Sequence, residues 1–275
     1  MKENLPKQNP SLSVNIFRHG QSQYRQEEVS IKDAGDLTME GVEDVKKSAV
    51  ELADLIKPGE EVEIWSSPIG RALQTAKIIS QVLEQKHISI RKKGNLNKHG
   101  IKVFEQFSEV KNFSWKLFYP LVVGGEVEFA GKKFFVDKNL TNPAGLTPSS
   151  YFLQDGIKHI DLSYKQKLPE EYVQEIDGFE DFINVTKRLM RPLAQLKKIK
   201  DKSYRVIIVT HDALTGFIAN IFSGEGMQGI NPGDFINLEK KDGKLIATKV
   251  GNLDKGNNDT DIIDEFNQRR ISALE

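Results

Sequence analysis

Two histidines stand directly after apolar runs, and their neighbours suggest a use for them. His19 lies in VNIFRHGQS between Arg18 and Gly20, and His211 lies in VIIVTHDAL after Thr210. A lone histidine reads most simply as a satisfied structural imidazole. Two at equivalent strand ends, one flanked by a guanidinium and a glycine, point to the handling of an anion. Arginine offers a planar fork suited to phosphate or carboxylate oxygens. Glycine lets backbone approach closely because it lacks a Cβ. A further basic group, Arg71, falls in SSPIGRALQTA, in the first turn of an expected helix. A helix N-terminus favours anions by itself.

The elements that must position these groups follow from the hydrophobic pattern. SVNIF (13–17) predicts a first strand ending at the Arg-His-Gly. After Thr38, a residue suited to cap a helix, Val42, Val45, Ala49, Leu52 and Ile56 recur at steps of three and four. That spacing is one face of a helix, and KPGEE (57–61) stops it. VEIWSS (62–67) predicts a second strand, followed by a helix through Ala72, Ala76, Ile79 and Leu83. ISIRK (88–92) reads as a short strand. Phe182, Leu189, Leu193 and Leu196 would line a long helix. YRVIIVT (204–210) is the most apolar strand, with a helix over 213–222 behind it. DFINLE and KLIATKV, joined across KKDG, form a hairpin signal.

Strands alternating with helices imply a three-layer α/β/α fold with a mainly parallel central sheet. The final hairpin adds an antiparallel edge. Ligands in such sheets bind beyond the carboxyl ends of the strands, where both RHG (18–20) and THD (210–212) fall. Residues 1–12 read as a flexible tail, 13–250 as a single domain, and 251–275 as a C-terminal tail that ends in an amphipathic helix. From about 113 to 178 the long helical periodicity lapses, and GGEVEFAGKKFFV suggests a hairpin. This segment is expected to be an inserted lid over the site.

These parts together resemble the histidine phosphatase superfamily, the phosphoglycerate-mutase-like proteins. The resemblance rests on RHGQS (18–22), LTMEG (37–41), SSPIGRALQTA (66–76), FSEVKNFSW (107–115), GFEDFINVTKRL (178–189) and VIIVTHDALTGFI (206–218), in that order. It implies that His19 attacks phosphorus and carries a phosphohistidine. It implies that Arg18, Arg71 and His211 hold the phosphoryl oxygens, with Gly20, Gln21, Ser22 and Arg25 around the same phosphate. Glu109 matches the family's acid, and Glu105 is the fallback. Arg25 stands where many relatives carry asparagine, and Asp212 where many carry glycine after the second histidine. Phosphoryl transfer needs chiefly positioning and stabilised charge on the equatorial oxygens. Fixed cations can supply that, so no metal and no cofactor is expected.

The bulk composition narrows the classes. The 275 residues are 38% hydrophobic and 28% charged, an ordinary globular balance. Lys+Arg and Asp+Glu both total 39, so no overall field gathers nucleic acid or anionic membrane. Cysteine is absent, which excludes disulfides, thiolate metal sites and thiol nucleophiles. No signal peptide or membrane-length apolar run is visible, so a soluble, cytoplasmic protein is expected. The expected activity is a metal-independent phosphomonoester hydrolase acting on a small phosphorylated substrate. No nucleic-acid or membrane partner is expected, and a homodimer is allowed. Three alternatives stand beside it: a phosphomutase of the same fold, a phosphate-binding relative that no longer turns over, and a metallohydrolase using His19, His211 and Asp212. The last lacks a second carboxylate at ligand spacing.

Overall fold

The computed structural model describes residues 12–22, 37–91, 94, 96–97, 99–109, 115–146, 151, 156–196, 203–223, 230–241 and 244–250. The chain divides into two compact units. The first is Met1–Ser108 with Leu189–Asn258, and the second is Glu109–Arg188 with Asp259–Glu275.

A six-stranded sheet forms the centre of the first unit: β1 (Leu12–Arg18), β2 (Glu61–Ser66), β3 (Lys102–Val103), β6 (Tyr204–Thr210), β7 (Phe235–Lys241) and β8 (Lys244–Val250). Their spatial order is β3-β2-β6-β1-β7-β8. β1, β2, β3 and β6 run parallel, whereas β7 pairs antiparallel with β1 and with β8. The apolar run YRVIIVT takes the interior position its composition demands, with all seven residues buried. It meets β1 in register from Leu12↔Tyr204 to Arg18↔Thr210. That register sets the ends of the two site-bearing strands side by side.

Helix α1 (Met39–Leu55) begins at Thr38, whose side chain accepts from the Gly41 amide, as an N-cap residue should. Helix α2 (Gly70–Gln85) follows β2, and α8 (Asp212–Ser223) follows β6. The stripe Val45, Ala49 and Leu52 on α1 joins Ala72, Ala76, Ile79 and Leu83 on α2, together with Phe17, Ile64 and Val209 from the sheet, in one buried cluster. Toward the amino ends of the strands lies a polar knot. Arg205, fully buried, donates from Nε to Glu60 at 3.2 Å and from Nη1 to Asn15 and Asn237 at 2.8 and 3.1 Å. Its Nη2 donates to the Leu55 carbonyl at 3.0 Å.

Two sequence expectations are corrected. ISIRK does not form a strand: Ile90 makes only an isolated bridge to Val62, and the edge of the sheet is taken by Lys102–Val103 beside Trp65 and Ser66. The apolar Ile88 and Ile90 are absorbed by the core under α1 and α2 rather than by a ladder. The long helix expected through Leu196 ends sooner: α7 spans Phe182–Leu193, with Pro192 inside its last turn.

The second unit holds α3 (Trp115–Val123), α4 (Lys138–Thr141), α5 (Leu162–Lys165) and α6 (Glu170–Asp177), with most of α7. It also holds the hairpin β4 (Gly125–Phe129) and β5 (Lys132–Val136) that GGEVEFAGKKFFV suggested. Its core is its own: Phe118, Leu121, Val127, Val136, Tyr151 and Tyr172 are buried together. Tyr172 donates its hydroxyl to the Leu117 carbonyl at 2.7 Å, and Tyr151 to that of Thr141 at 3.0 Å, so the buried phenols are satisfied.

Candidate active site

The site is built where β1 and β6 end. The strand ladder carries on one residue past β1, with the His19 amide donating to the Thr210 carbonyl at 3.0 Å. The turn after His19 is tight because two glycines make it so. A Cβ on Gly20 would lie 2.8 Å from the Gly41 carbonyl oxygen and from Val45 Cγ2, and one on Gly41 would lie 2.3 Å from the Gln21 carbonyl oxygen. The Gly20 amide donates to Thr75 Oγ1 at 3.0 Å, and the Gln21 carbonyl accepts from the Thr38 amide at 2.9 Å. The RHG turn is thereby fastened to the start of α1 and to the second turn of α2.

The protonation pattern of His19 follows from its partners. Nδ1 lies 2.7 Å from the Gly20 carbonyl oxygen, which can only accept, so Nδ1 carries the hydrogen and donates it. Nε2 accepts from Arg71 Nε at 3.0 Å and therefore holds the free electron pair. The neutral imidazole presents Nε2 as its nucleophilic atom, beside a guanidinium. Arg71 is nearly buried, at 3% exposure, and it stands in the first turn of α2 as expected.

His211 is also 3% exposed. Its ring lies 5.2 Å from that of His19, centroid to centroid, at 62°. Nε2 of His211 shares a hydrogen bond of 2.9 Å with Ser67 Oγ. Ser67 is fully buried and also accepts from the Ile69 amide at 3.2 Å, so one hydroxyl ties the second imidazole to the start of α2. Arg18 Nη1 donates to the Ile230 carbonyl at 2.7 Å and faces Asp212 Oδ1 at 3.1 Å.

Arg18, His19, Arg71 and His211 thus converge within the first unit. Ser22 is buried and bridges Leu37, and Gln21 serves through its backbone. Arg25 lies outside the described residues. Glu105 sits exposed on a single 3-10 turn, Glu105–Phe107. Glu109 opens the second unit, half-buried, and its carbonyl accepts from Arg188 Nη2 at 3.1 Å. Two residues before it, the Phe107 carbonyl accepts from Thr210 Oγ1 at 2.8 Å. Sequence reasoning missed Ser67, Thr75 and Thr210. The first two sit inside the quoted SSPIGRALQTA, but no local signal marked their hydroxyls.

The parallel strands β1 and β6 thus end in two imidazoles beside a guanidinium. Residues 14–110 match the family model of the histidine phosphatase superfamily (branch 1), so the resemblance read from the sequence is borne out over that span. Comparison with curated proteins by sequence finds no match. Among solved structures the chain is similar to the phosphoglycerate mutase from Bacillus anthracis str. Sterne, at 16% identity and a TM-score of 0.56, covering 94% of this chain and 98% of that one. This is a likeness of fold. It is also similar to the α-ribazole phosphatase from Shigella flexneri, at 16% identity and TM-score 0.48, covering 87% and 96% of the two chains. A mycobacterial glucosyl-3-phosphoglycerate phosphatase stands at 14% and 0.48, covering 88% and 99%. At those scores the last two likenesses carry no further weight. Among the described residues no helix is long and apolar enough to cross a membrane.

Proposed function

We propose that this protein is a phosphomonoester hydrolase that works through a phosphohistidine at His19, on a small phosphorylated substrate and without a metal. The observation that carries the reading is His19 itself. Its Nδ1 is held by the Gly20 carbonyl, its Nε2 accepts from Arg71, and His211 stands 5.2 Å away. This is the arrangement an imidazole nucleophile needs beside a cradle for phosphoryl oxygens.

The steps follow from those atoms. The Arg71 Nε–H turns from Nε2 to a phosphoryl oxygen as substrate enters. Nε2 attacks phosphorus in line with the ester oxygen, the N–P bond forms and the P–O bond to the leaving group breaks. The leaving oxygen takes a proton from Glu109, in the role that the family resemblance implies. Water then attacks phosphorus, gives its proton back to Glu109, and the N–P bond breaks to release inorganic phosphate. Arg18, Arg71 and His211 offset the charge on the equatorial oxygens throughout.

In the metallohydrolase that uses His19, His211 and Asp212, the carboxylate is already engaged by Arg18. The test is a panel of phosphate esters, including an aryl phosphate, assayed in EDTA with wild type and His19→Ala. Phosphate release in chelator, abolished by His19→Ala, with an acid-labile phosphoryl group trapped on the wild type, is expected. Release that survives His19→Ala refutes the nucleophile, and loss in EDTA refutes metal independence. Conversion of 3- to 2-phosphoglycerate with little free phosphate would assign a mutase instead.

A further inference from the structure

Asp212 occupies a position that the phosphate reading leaves unused. It is the first residue of α8, directly after His211, and its carboxylate faces Arg18 Nη1 at 3.1 Å. The pair is well shielded, with 11% of the Arg18 side chain and 29% of the Asp212 side chain exposed. The same Nη1 also donates to the Ile230 carbonyl at 2.7 Å.

Two different jobs are divided between these acceptors. The Ile230 carbonyl is neutral and backbone-borne, so it pins the fork of Arg18 whatever residue stands at 212. Asp212 adds a full negative charge. That charge falls on Arg18 and on the amino end of α8, and a helix start with no carboxylate would itself draw anions. A cradle of two guanidinium groups and an imidazole holds inorganic phosphate as readily as it holds an ester, and a hydrolase must let phosphate go at every turnover.

We propose that Asp212 limits how tightly the cradle grips phosphate, by offsetting the charge of Arg18, and so speeds release of the product. The proposal rests on the hydrolase reading above. Asp212 acts through Arg18 and is a positioning and charge-setting residue, with no bond to the reacting atoms assigned to it.

Removing one charge on the far side of a guanidinium changes the affinity for a dianion about five- to tenfold in a water-like dielectric. Asp212→Asn is therefore expected to bind vanadate and inorganic phosphate about five- to tenfold more tightly, measured by calorimetry and as product inhibition. Its kcat falls and its KM falls with it. Asp212→Glu, which keeps the charge, returns both toward wild type. The gain in affinity shrinks as salt rises. A merely structural role for Asp212 would weaken vanadate binding instead. Asp212→Ser is the second variant should Asp212→Asn fail to give a cooperative thermal melt.

If wild type hydrolyses phosphate esters while Asp212→Asn or Asp212→Ser binds vanadate equally or more weakly, the proposal is wrong and the hydrolase reading stands. If wild type neither hydrolyses a phosphate ester nor binds vanadate, both fall.

Discussion

Replacing Gly41 by alanine should damage this protein although alanine is the better helix former. Gly41 lies in the first turn of α1, where alanine is worth about 1 kcal/mol over glycine. Against that stands a collision. The new Cβ would lie 2.3 Å from the Gln21 carbonyl oxygen, 2.7 Å from its nitrogen and 3.0 Å from its carbonyl carbon. Moving the oxygen out to 3.0 Å, the shortest separation such contacts tolerate, takes a shift of 0.7 Å, and every colliding atom is backbone. The Gln21 carbonyl is also tied to the Thr38 amide, so it does not yield freely. Overpacking of this kind costs about 1–3 kcal/mol. Net of propensity, a loss of up to about 2 kcal/mol is expected, which lowers Tm by roughly 2–4 °C for each kcal/mol at this size. Gln21 is two residues from His19, and misplacing a reacting group by about 1 Å costs on the order of a hundredfold in rate.

The assay pairs thermal melts with phosphate release from an aryl ester. Gly59→Ala serves as the control, because φ there is +80° and no heavy atom lies within 4 Å of the added Cβ. That variant suffers backbone strain of about 1–2 kcal/mol without collision, and its turnover should match wild type. The reasoning is refuted if Gly41→Ala melts at or above wild type and turns over at the wild-type rate.

Two more perturbations probe other links. Ser67→Ala deletes the hydroxyl that holds His211 and satisfies the Ile69 amide, so it should cost about 1–3 kcal/mol and lower kcat more than it raises KM. Unchanged kcat would show that His211 is fixed without it. Glu63 supplies a pH dependence. Burial pushes its carboxyl up, but hydrogen bonds from Lys102, Tyr204 and Trp65 outweigh that and hold it below the ordinary carboxylate value. A depressed folded-state value contributes stability above the ordinary value, about 4.3, and loses it as pH falls toward the folded one. Melts of Glu63→Gln should therefore start lower at neutral pH and decline less than wild type between about pH 5 and pH 3. Parallel declines would remove Glu63 from the acid response.

The strands were legible wherever composition and position agreed. YRVIIVT is mostly apolar along its length because β6 lies inside a parallel sheet and is buried on both faces, so the run announced an interior strand. Arg18 and His19 drew notice as candidates because a guanidinium, an imidazole and a glycine fall together at the end of β1. ISIRK failed for the complementary reason. Its apolar residues face a core shared by two helices, and burial under helices leaves the same trace as burial in a ladder. Ser67 and Thr75 could not be assigned roles because their partners stand 144 and 55 residues away in sequence. Nothing local to either serine or threonine encodes such a distant partner. Asp212 was visible as a departure from the family pattern the sequence resembles, yet its engagement with Arg18 depended on where the Ile230 carbonyl turns that side chain.

The polar knot around Arg205 has a bearing on how this chain avoids misassembly. Asn15, Arg205 and Asn237 come from three adjacent strands, and the guanidinium finds its acceptors only when those strands meet in one alignment. Apolar neighbours such as Val206, Ile207 and Ile208 are nearly interchangeable, so grease alone discriminates poorly between offsets. A slip by one residue would strand a cation in a dry interior, at a penalty of several kcal/mol. The knot works as a key that fits one lock position, so an offset sheet carries that penalty and the native one does not.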